Sequence, residues 1–176
     1  MAISQKLRQR IKNIKVLVLD VDGVLTAGDL IFDGEGRELK SFHVQDGLGI
    51  IIAKRAGIKI AIITAGNSKV VKVRADYLRI DKLYLKAYPK TIAYEQMLKD
   101  FKVKDEHVCF VGDELTDCQI LKRVGLSVAV RNAVPEVKRI SHFVTKRCGG
   151  DAAVREVIEL ILKTQGKWIK AIAQDM

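Results

Sequence analysis

Two aspartates one residue apart, Asp20 and Asp22, directly follow the apolar run of residues 15–19 and precede Gly23. A continuous apolar run of this kind is typical of a strand that is buried on both faces. The two carboxylates therefore lie where a buried strand passes into a loop. Carboxylates this close repel each other unless a bound cation or a proton neutralises their charge. The pattern predicts a site for a divalent cation and for chemistry on an anionic group.

Three further polar side chains come at the ends of predicted strands or at the start of a predicted helix. Thr64 ends an apolar run that begins at Ile60, Lys90 opens a helix, and Asp113 follows a third apolar run. In an open α/β sheet, ligands bind beyond the carboxyl ends of the strands. We therefore expect these three side chains to converge on the two aspartates. Each of them alone would also fit a turn, a strand end or a surface position.

The elements that must position these residues alternate between strands and helices, which is the pattern of a parallel doubly wound sheet. Asp46 is predicted to cap the second helix, and Gly57 lies beyond the end of that helix. Before it, Gly34 and Gly36 indicate a β-hairpin at about residues 29–44. The predicted strands are 15–19, 58–64, 82–85, 107–111, 127–130 and 143–144, and the predicted helices are 4–11, 46–56, 68–78, 90–100, 115–124, 135–139 and 151–163. The fold class is α/β, with a Rossmann-like parallel sheet.

Length and composition predict a globular protein. The 176 residues suit a single domain, 1–176, and 48% of them are apolar. No apolar run reaches the length of a membrane span, and the polar start lacks the apolar centre of a secretory signal, so we expect a cytoplasmic protein. The cysteines are odd in number and do not show the spacing of metal ligands.

The formal net charge of +10 admits a nucleic-acid partner. The basic residues are, however, spread along predicted helices and tails, and no nucleic-acid motif is present. A positive surface would also steer an anionic substrate towards the site. A non-catalytic scaffold or nucleic-acid-binding protein stays open as an alternative of another class, although such a protein would not need the five polar residues together.

The order D-x-D-G, strand-terminal threonine, lysine and G-D-x-x-x-D resembles the haloacid dehalogenase superfamily of phosphohydrolases, from about residue 15 to about residue 166. The resemblance implies that Asp20 attacks phosphorus and that Asp22 acts as general acid and then base. It implies that Thr64 and Lys90 hold the phosphoryl group. It also implies Mg²⁺ bound by the Asp20 carboxylate, the Asp22 backbone carbonyl and the Asp113 carboxylate.

The hairpin stands where many superfamily members carry a large cap, and capless members usually assemble so that neighbours cover the site. Several segments, among them F-H-V-Q-D-G-L-G from Phe42, resemble the capless, tetrameric 3-deoxy-D-manno-octulosonate 8-phosphate phosphatases. That resemblance implies a homotetramer in which the tail 164–176 of a neighbour closes over the site. Truncation after Lys163 is then expected to change kinetics without unfolding the protein. The implied substrate contacts are Asp22, His43, Val44, Gln45, Asp46, Gly47, Arg74 and Lys90.

The chain departs from this family at several arginine positions. They are occupied by Gln45, Ile51, Gly66 and Asp151. Arginine suits bidentate recognition of a carboxylate, so a related nonulosonate 9-phosphate or a broader range of sugar phosphates stays open as substrate. Glu114 could reach the ion only through water, and Asp117 is either a supporting acid of the site or an acid favoured by the start of a helix.

Overall fold

The computed structural model describes residues 3–173. Within them the strands are β1 Val16–Leu19, β2 Ile31–Phe32, β3 Glu38–Leu39, β4 Lys59–Ile63, β5 Lys82–Tyr84, β6 Val108–Gly112, β7 Leu126–Ala129 and β8 Phe143–Val144. The α-helices are α1 Gln5–Lys12, α2 Val44–Arg55, α3 Lys69–Tyr77, α4 Lys90–Phe101, α5 Cys118–Leu121, α6 Pro135–Ile140, α7 Ala153–Thr164 and α8 Trp168–Ile172.

Six strands form one parallel sheet in the order β5-β4-β1-β6-β7-β8, and β2 pairs with β3 as a separate antiparallel hairpin. The predicted α/β fold class is confirmed. Strand β1 is central, and all four of its residues are buried, as its unbroken apolar sequence predicts. Leu19 lies opposite Ile62 on one side and Val111 on the other. The last residues of β1, β4 and β6 therefore reach the same edge of the sheet.

The hairpin and the start of α2 differ from the sequence prediction. The second hairpin strand covers only two residues, and α2 begins at Val44, so the prediction that Asp46 caps this helix is wrong. The cap is His43, whose Nδ1 accepts a hydrogen bond from the Gln45 N–H at 3.2 Å. The Asp46 carboxylate instead accepts the Arg155 N–H of α7 at 2.7 Å. The N-cap residue of α7 is Ala152, whose side chain cannot accept a hydrogen bond from the first N–H groups of the helix. Asp46 provides that acceptor instead.

The helix predicted over residues 115–124 is wrong in length. Residues Leu115–Asp117 form a 3-10 turn, and only Cys118–Leu121 are α-helical. The Asp117 carboxylate accepts the N–H groups of Asp113 and Glu114, the two residues before this turn, which favours the tighter winding. Helix α7 likewise begins two residues later than predicted, because Ala152 has a φ of 62° and cannot be part of it.

The described part of the C-terminal tail packs against its own chain. Gln165 donates hydrogen bonds through Nε2 to the carbonyls of Ile11 and Ile14, at 3.1 and 2.8 Å. The Trp168 ring lies 5.0 Å from the Arg155 guanidinium, and Ala171 is buried. Truncation after Lys163 would remove these contacts, and its effect on kinetics without unfolding stays a prediction. The rest of the predicted tail, residues 174–176, lies outside the described residues.

Among the helices of residues 3–173, none combines the length and the apolar run that crossing a membrane would take.

Candidate active site

A polar cleft of about 260 Å³ opens at the carboxyl edge of the central strands. Asp20 follows β1, Thr64 follows β4, and Asp113 follows β6, while Lys90 is the first residue of α4. The structure thus brings together five of the predicted residues, because neighbouring parallel strands end in register. The residues that line the cleft are Asp20, Asp22, Gly23, Gly28, Thr64, Ala65, Gly66, Lys90, Asp113, Glu114 and Thr116.

Lys90 is buried between two carboxylates. Its Nζ lies 2.6 Å from Asp20 Oδ2 and 2.7 Å from Asp117 Oδ1, and its side chain is 2% exposed. Burial opposes the charge of this ammonium, but the two carboxylates prevail together and raise the pKa of Lys90. Lys90 therefore presents a fixed positive charge beside the Asp20 carboxylate.

Asp117 is a supporting acid of the site, which settles the alternative that the sequence left open. It is completely buried, and its second oxygen accepts the N–H groups of Asp113 and Glu114 at 3.1 and 3.3 Å. A side chain at Gly112 would collide with it, since a Cβ there would lie 2.4 Å from Asp117 Oδ2. Asp117 thus fixes both Lys90 and the backbone that carries Asp113. Glu114 also borders the cleft, and its Oε1 accepts the Leu115 N–H at the start of the 3-10 turn.

Three carboxylates lie close together, and a bound cation would neutralise their negative charge. Oxygens of Asp20, Asp113 and Asp117 lie within 4.8 Å of one another. Burial, together with the other two acids, raises the pKa of Asp113 to about 7. Burial also raises the pKa of Asp20 to about 6, against the opposing charge of Lys90.

One oxygen of this cluster, Asp113 Oδ1, is buried and has no hydrogen-bond partner in the described structure. An unpartnered buried carboxylate oxygen is costly unless something binds it. The donor set is all oxygen, which is what Mg²⁺ prefers. The residues present therefore fit a hard divalent cation.

Asp22 has a lysine of its own, which the sequence analysis missed. Lys40 Nζ donates to Asp22 Oδ1 at 2.5 Å and lies 2.8 Å from Glu38 Oε1. The Lys40 side chain is only 2% exposed although it follows the hairpin strand β3. Burial opposes its charge, yet the hydrogen bonds to the two acids raise the pKa of Lys40. In the sequence, Lys40 is simply a lysine after a predicted hairpin strand, and such a position is ordinarily exposed to solvent.

Thr64 and the second Asp22 oxygen face the same space. Thr64 Oγ1 accepts the Gly66 N–H at 3.2 Å, which leaves the hydroxyl proton for a ligand. A Cβ placed on Gly66 would lie 3.5 Å from Thr64 Oγ1 and 3.8 Å from Asp22 Oδ2. Thr64 is buried, so its orientation is fixed by packing.

A second supporting group that the sequence did not indicate is Asn132. Its amide donates to the Gly23 carbonyl at 3.0 Å and accepts the Gly149 N–H at 2.6 Å. Gly149 approaches the Gly23 carbonyl so closely that a Cβ would lie 1.8 Å from it. Only glycine fits there, and the loop after β1 is held in place by this contact.

The other residues for which the resemblance implied substrate contacts do not line this cleft. His43, Asp46, Gly47 and Arg74 surround a small, mostly apolar cavity under α2, and the Arg74 guanidinium lies over the Phe42 ring at 5.5 Å. Gln45 lines a third cavity, with Lys146, Arg147 and Arg155. Val44 is 81% exposed.

Asp46 has one buried oxygen, Oδ2, without a partner in the described structure. Burial raises the pKa of Asp46 to about 6, against the favourable hydrogen bond from Arg155.

Comparison with known proteins identifies similar enzymes. The family described as haloacid dehalogenase-like hydrolase matches residues 63–158. The 3-deoxy-D-manno-octulosonate 8-phosphate phosphatase of Escherichia coli K12 is 41% identical over 174 residues, which cover 99% of this chain and 93% of that protein.

Two crystal structures show the same likeness in three dimensions. The enzyme of that name from Yersinia pestis is 40% identical, with a TM-score of 0.92 over 94% of this chain and 90% of its own. The enzyme from Moraxella catarrhalis, in complex with magnesium, phosphate and the sugar acid KDO, is 37% identical, with a TM-score of 0.94 over 97% and 98%.

Proposed function

This chain belongs to the haloacid dehalogenase-like hydrolases and is a phosphatase, and from that premise we propose that it hydrolyses 3-deoxy-D-manno-octulosonate 8-phosphate to the sugar acid and phosphate. The observation that carries the proposal is the paired arrangement of Asp20 and Asp22, each bound by a buried lysine at the mouth of one cleft. The substrate is taken from the enzymes to which the chain is similar over nearly its whole length.

In the first step, an Asp20 carboxylate oxygen attacks phosphorus and forms an aspartyl-phosphate, while the bond to the sugar oxygen breaks. Asp22 gives its proton to that leaving oxygen. Lys90 offsets charge at the nucleophile and the phosphoryl group, and the Thr64 hydroxyl donates to a phosphoryl oxygen. Burial of Lys90 strengthens its interaction, since little water screens it.

In the second step, Asp22 takes a proton from water, whose oxygen attacks phosphorus and releases Asp20 as a carboxylate. The same residue thus serves as acid and then as base. Asp117 maintains the arrangement because it holds Lys90 and the Asp113 backbone.

Mg²⁺ is the proposed cofactor. The Asp20 carboxylate, the Asp22 backbone carbonyl and the Asp113 carboxylate would hold it, and the orphaned Asp113 oxygen supports this assignment. When bound, the ion would neutralise charge on the phosphoryl oxygens.

We further propose that the enzyme works as a homotetramer in which a neighbouring copy covers the cleft. The observation that supports this is the hairpin between β1 and α2, which exposes a group of large apolar side chains that a neighbour would cover: Leu30, Ile31, Phe32 and Leu39.

The test is phosphate release from 3-deoxy-D-manno-octulosonate 8-phosphate with Mg²⁺, with a chelator, and with the variant Asp20→Asn. The expected result is turnover that chelation abolishes and Mg²⁺ restores, together with loss of turnover in the variant. An Asp20→Asn variant that turns over at the rate of the native chain would contradict the assigned nucleophile.

A further inference from the structure

Each aspartate of the pair has a different buried lysine. Lys90 contacts Asp20 and Asp117, whereas Lys40 contacts Asp22 and Glu38. The mechanism above gives a role to Lys90 only. Both lysine side chains are 2% exposed, although Lys90 as a whole residue is buried and Lys40 is only partly buried. A buried ammonium so close to a reacting group needs an explanation beyond surface solvation.

The hydrogen bond from Lys40 to Asp22 ends on one carboxyl oxygen. Its Nζ donates to Oδ1 at 2.5 Å. The other oxygen, Oδ2, lies on the side of Thr64 and Gly66, where a Cβ on Gly66 would come within 3.8 Å of it. Oδ1 already accepts a hydrogen bond from a cation, which repels a proton there, so a proton on this carboxyl group is favoured on Oδ2.

The rest of the Lys40 environment fixes its position. Glu38 Oε1 lies 2.8 Å from Nζ, and Ser68, which caps α3, also hydrogen-bonds the Glu38 carboxylate. The ammonium is thus held between the hairpin and the loop that follows β4. The Asp22 side chain, by contrast, is 39% exposed, so the contact with Lys40 is a main constraint on its orientation.

We propose that Lys40 is a positioning residue: it holds Oδ1 of Asp22 and thereby presents Oδ2 to the cleft as the oxygen that exchanges the proton. The inference rests on the proposed function, in which Asp22 is the general acid and base. In the first step the P–O bond to the alcohol breaks, its electron pair stays on the leaving oxygen, and the proton of Oδ2 moves there. In the second step Oδ2 takes a proton from the attacking water, and the electron pair of the P–O bond to Asp20 returns to that carboxylate.

A contrast between leaving groups separates this role from mere support of the fold. Phenyl phosphate expels a basic phenolate and needs the proton, whereas p-nitrophenyl phosphate expels a stabilised anion and needs it much less. For Lys40→Met we expect kcat on phenyl phosphate to fall roughly ten-fold more than kcat on p-nitrophenyl phosphate, as expected when general acid catalysis is impaired. KM for both esters should change little, and Lys40→Arg should recover most of the lost rate.

The matched control is Arg37→Met, which removes a cation from the same hairpin. Arg37 is 70% exposed and pairs with Asp33 and Glu35, away from the cleft. It should leave both rates unchanged. If Lys40→Met does not fold, the double variant Lys40→Met/Glu38→Met removes the second unpaired charge and allows the same comparison.

Equal losses on the two esters, or a loss confined to KM, would overturn the positioning role. Failure of the proposed function has a different signature. In that case the native chain itself would release no phosphate from either ester, whatever residue stands at position 40.

Discussion

At the scale of single residues, the site depends on how buried charges are paired. Asp20, Asp22, Thr64, Lys90 and Asp113 could be predicted, because each stands at a strand end or helix start that the apolar pattern locates. Lys40 could not be predicted, since it reaches Asp22 across 18 residues and a hairpin. The spacing of G-D-x-x-x-D indicated Asp117 without deciding its role. Its role became clear only from its contacts to Lys90 and the backbone.

Asp117→Ala should destabilise the protein strongly. It leaves Lys90 with a single carboxylate and strips the acceptor from two backbone N–H groups. We expect a loss of about 3 kcal/mol or more in unfolding free energy, as for a broken buried ion pair. Urea denaturation measures this loss of unfolding free energy. The control is Glu114→Ala, which should cost about 1 kcal/mol or less because Glu114 is exposed. Equal, small losses in both variants would show that Asp117 does not support the site.

At the scale of elements, the alternation of strands and helices was predictable, and the errors lie at helix starts. The start of α2 was misplaced because a histidine ring provides the cap and the nearby aspartate serves another helix. A sequence shows that Asp46 can cap a helix, but not which one. The 3-10 turn after β6 was missed for a similar reason, because a side chain three residues ahead determines its winding.

Asp46 should be needed to hold α7 rather than to start α2. Asp46→Ala removes the acceptor of the Arg155 N–H and should cost about 1 kcal/mol of unfolding free energy, the usual value of a helix cap. Asp46→Asn keeps an acceptor without the buried charge and should be close to the native protein. Chemical denaturation of the two variants tests this. Similar destabilisation by both would mean that the charge, not the acceptor, matters.

At the scale of the whole molecule, the crossover rules for parallel strands limit the possible sheet orders, whereas the assembly does not follow from one chain. The hairpin is the element through which we expect assembly. Phe32→Asp places a charge in its exposed apolar group and should dissociate the proposed tetramer, as light scattering would show. Ile92→Asp, at a site that is 68% exposed on α4, is the control and should not change the molar mass. An unchanged mass for Phe32→Asp would contradict a hairpin interface.

The buried acids predict a pH dependence of stability that a metal should reverse. The pKa values of Asp20 and Asp46 are raised to about 6 and that of Asp113 to about 7, against about 3.9 for unfolded aspartate. From about pH 4 to 7 the folded chain then binds more protons, so unfolding free energy falls as pH rises. Burial lowers the pKa of His142, which opposes this trend, but it is one group against three carboxylates. Carboxylates with lowered pKa values, such as Asp33 and Asp100, titrate below this window.

In the presence of a chelator, the melting temperature of the protein should therefore be higher at pH 5.5 than at pH 7.5. Mg²⁺ binds the ionised carboxylates of the folded state, so it should raise the value at pH 7.5 most and reduce or reverse the difference. Thermal denaturation at the two pH values, with and without Mg²⁺, tests this. Asp113→Asn should lose the response to the ion, and a response that persists in this variant would place the ion elsewhere.

The measurement that tests the central claim most directly is the specificity constant, kcat/KM, for phosphate release from a panel of esters with Mg²⁺. The panel contains 3-deoxy-D-manno-octulosonate 8-phosphate, a nonulosonate 9-phosphate, hexose phosphates and an aryl phosphate. A clear preference for the octulosonate is predicted, and it would show that the arginines replaced by Gln45, Ile51, Gly66 and Asp151 are dispensable. A flat profile, or a preference for another sugar phosphate, would contradict the proposed substrate.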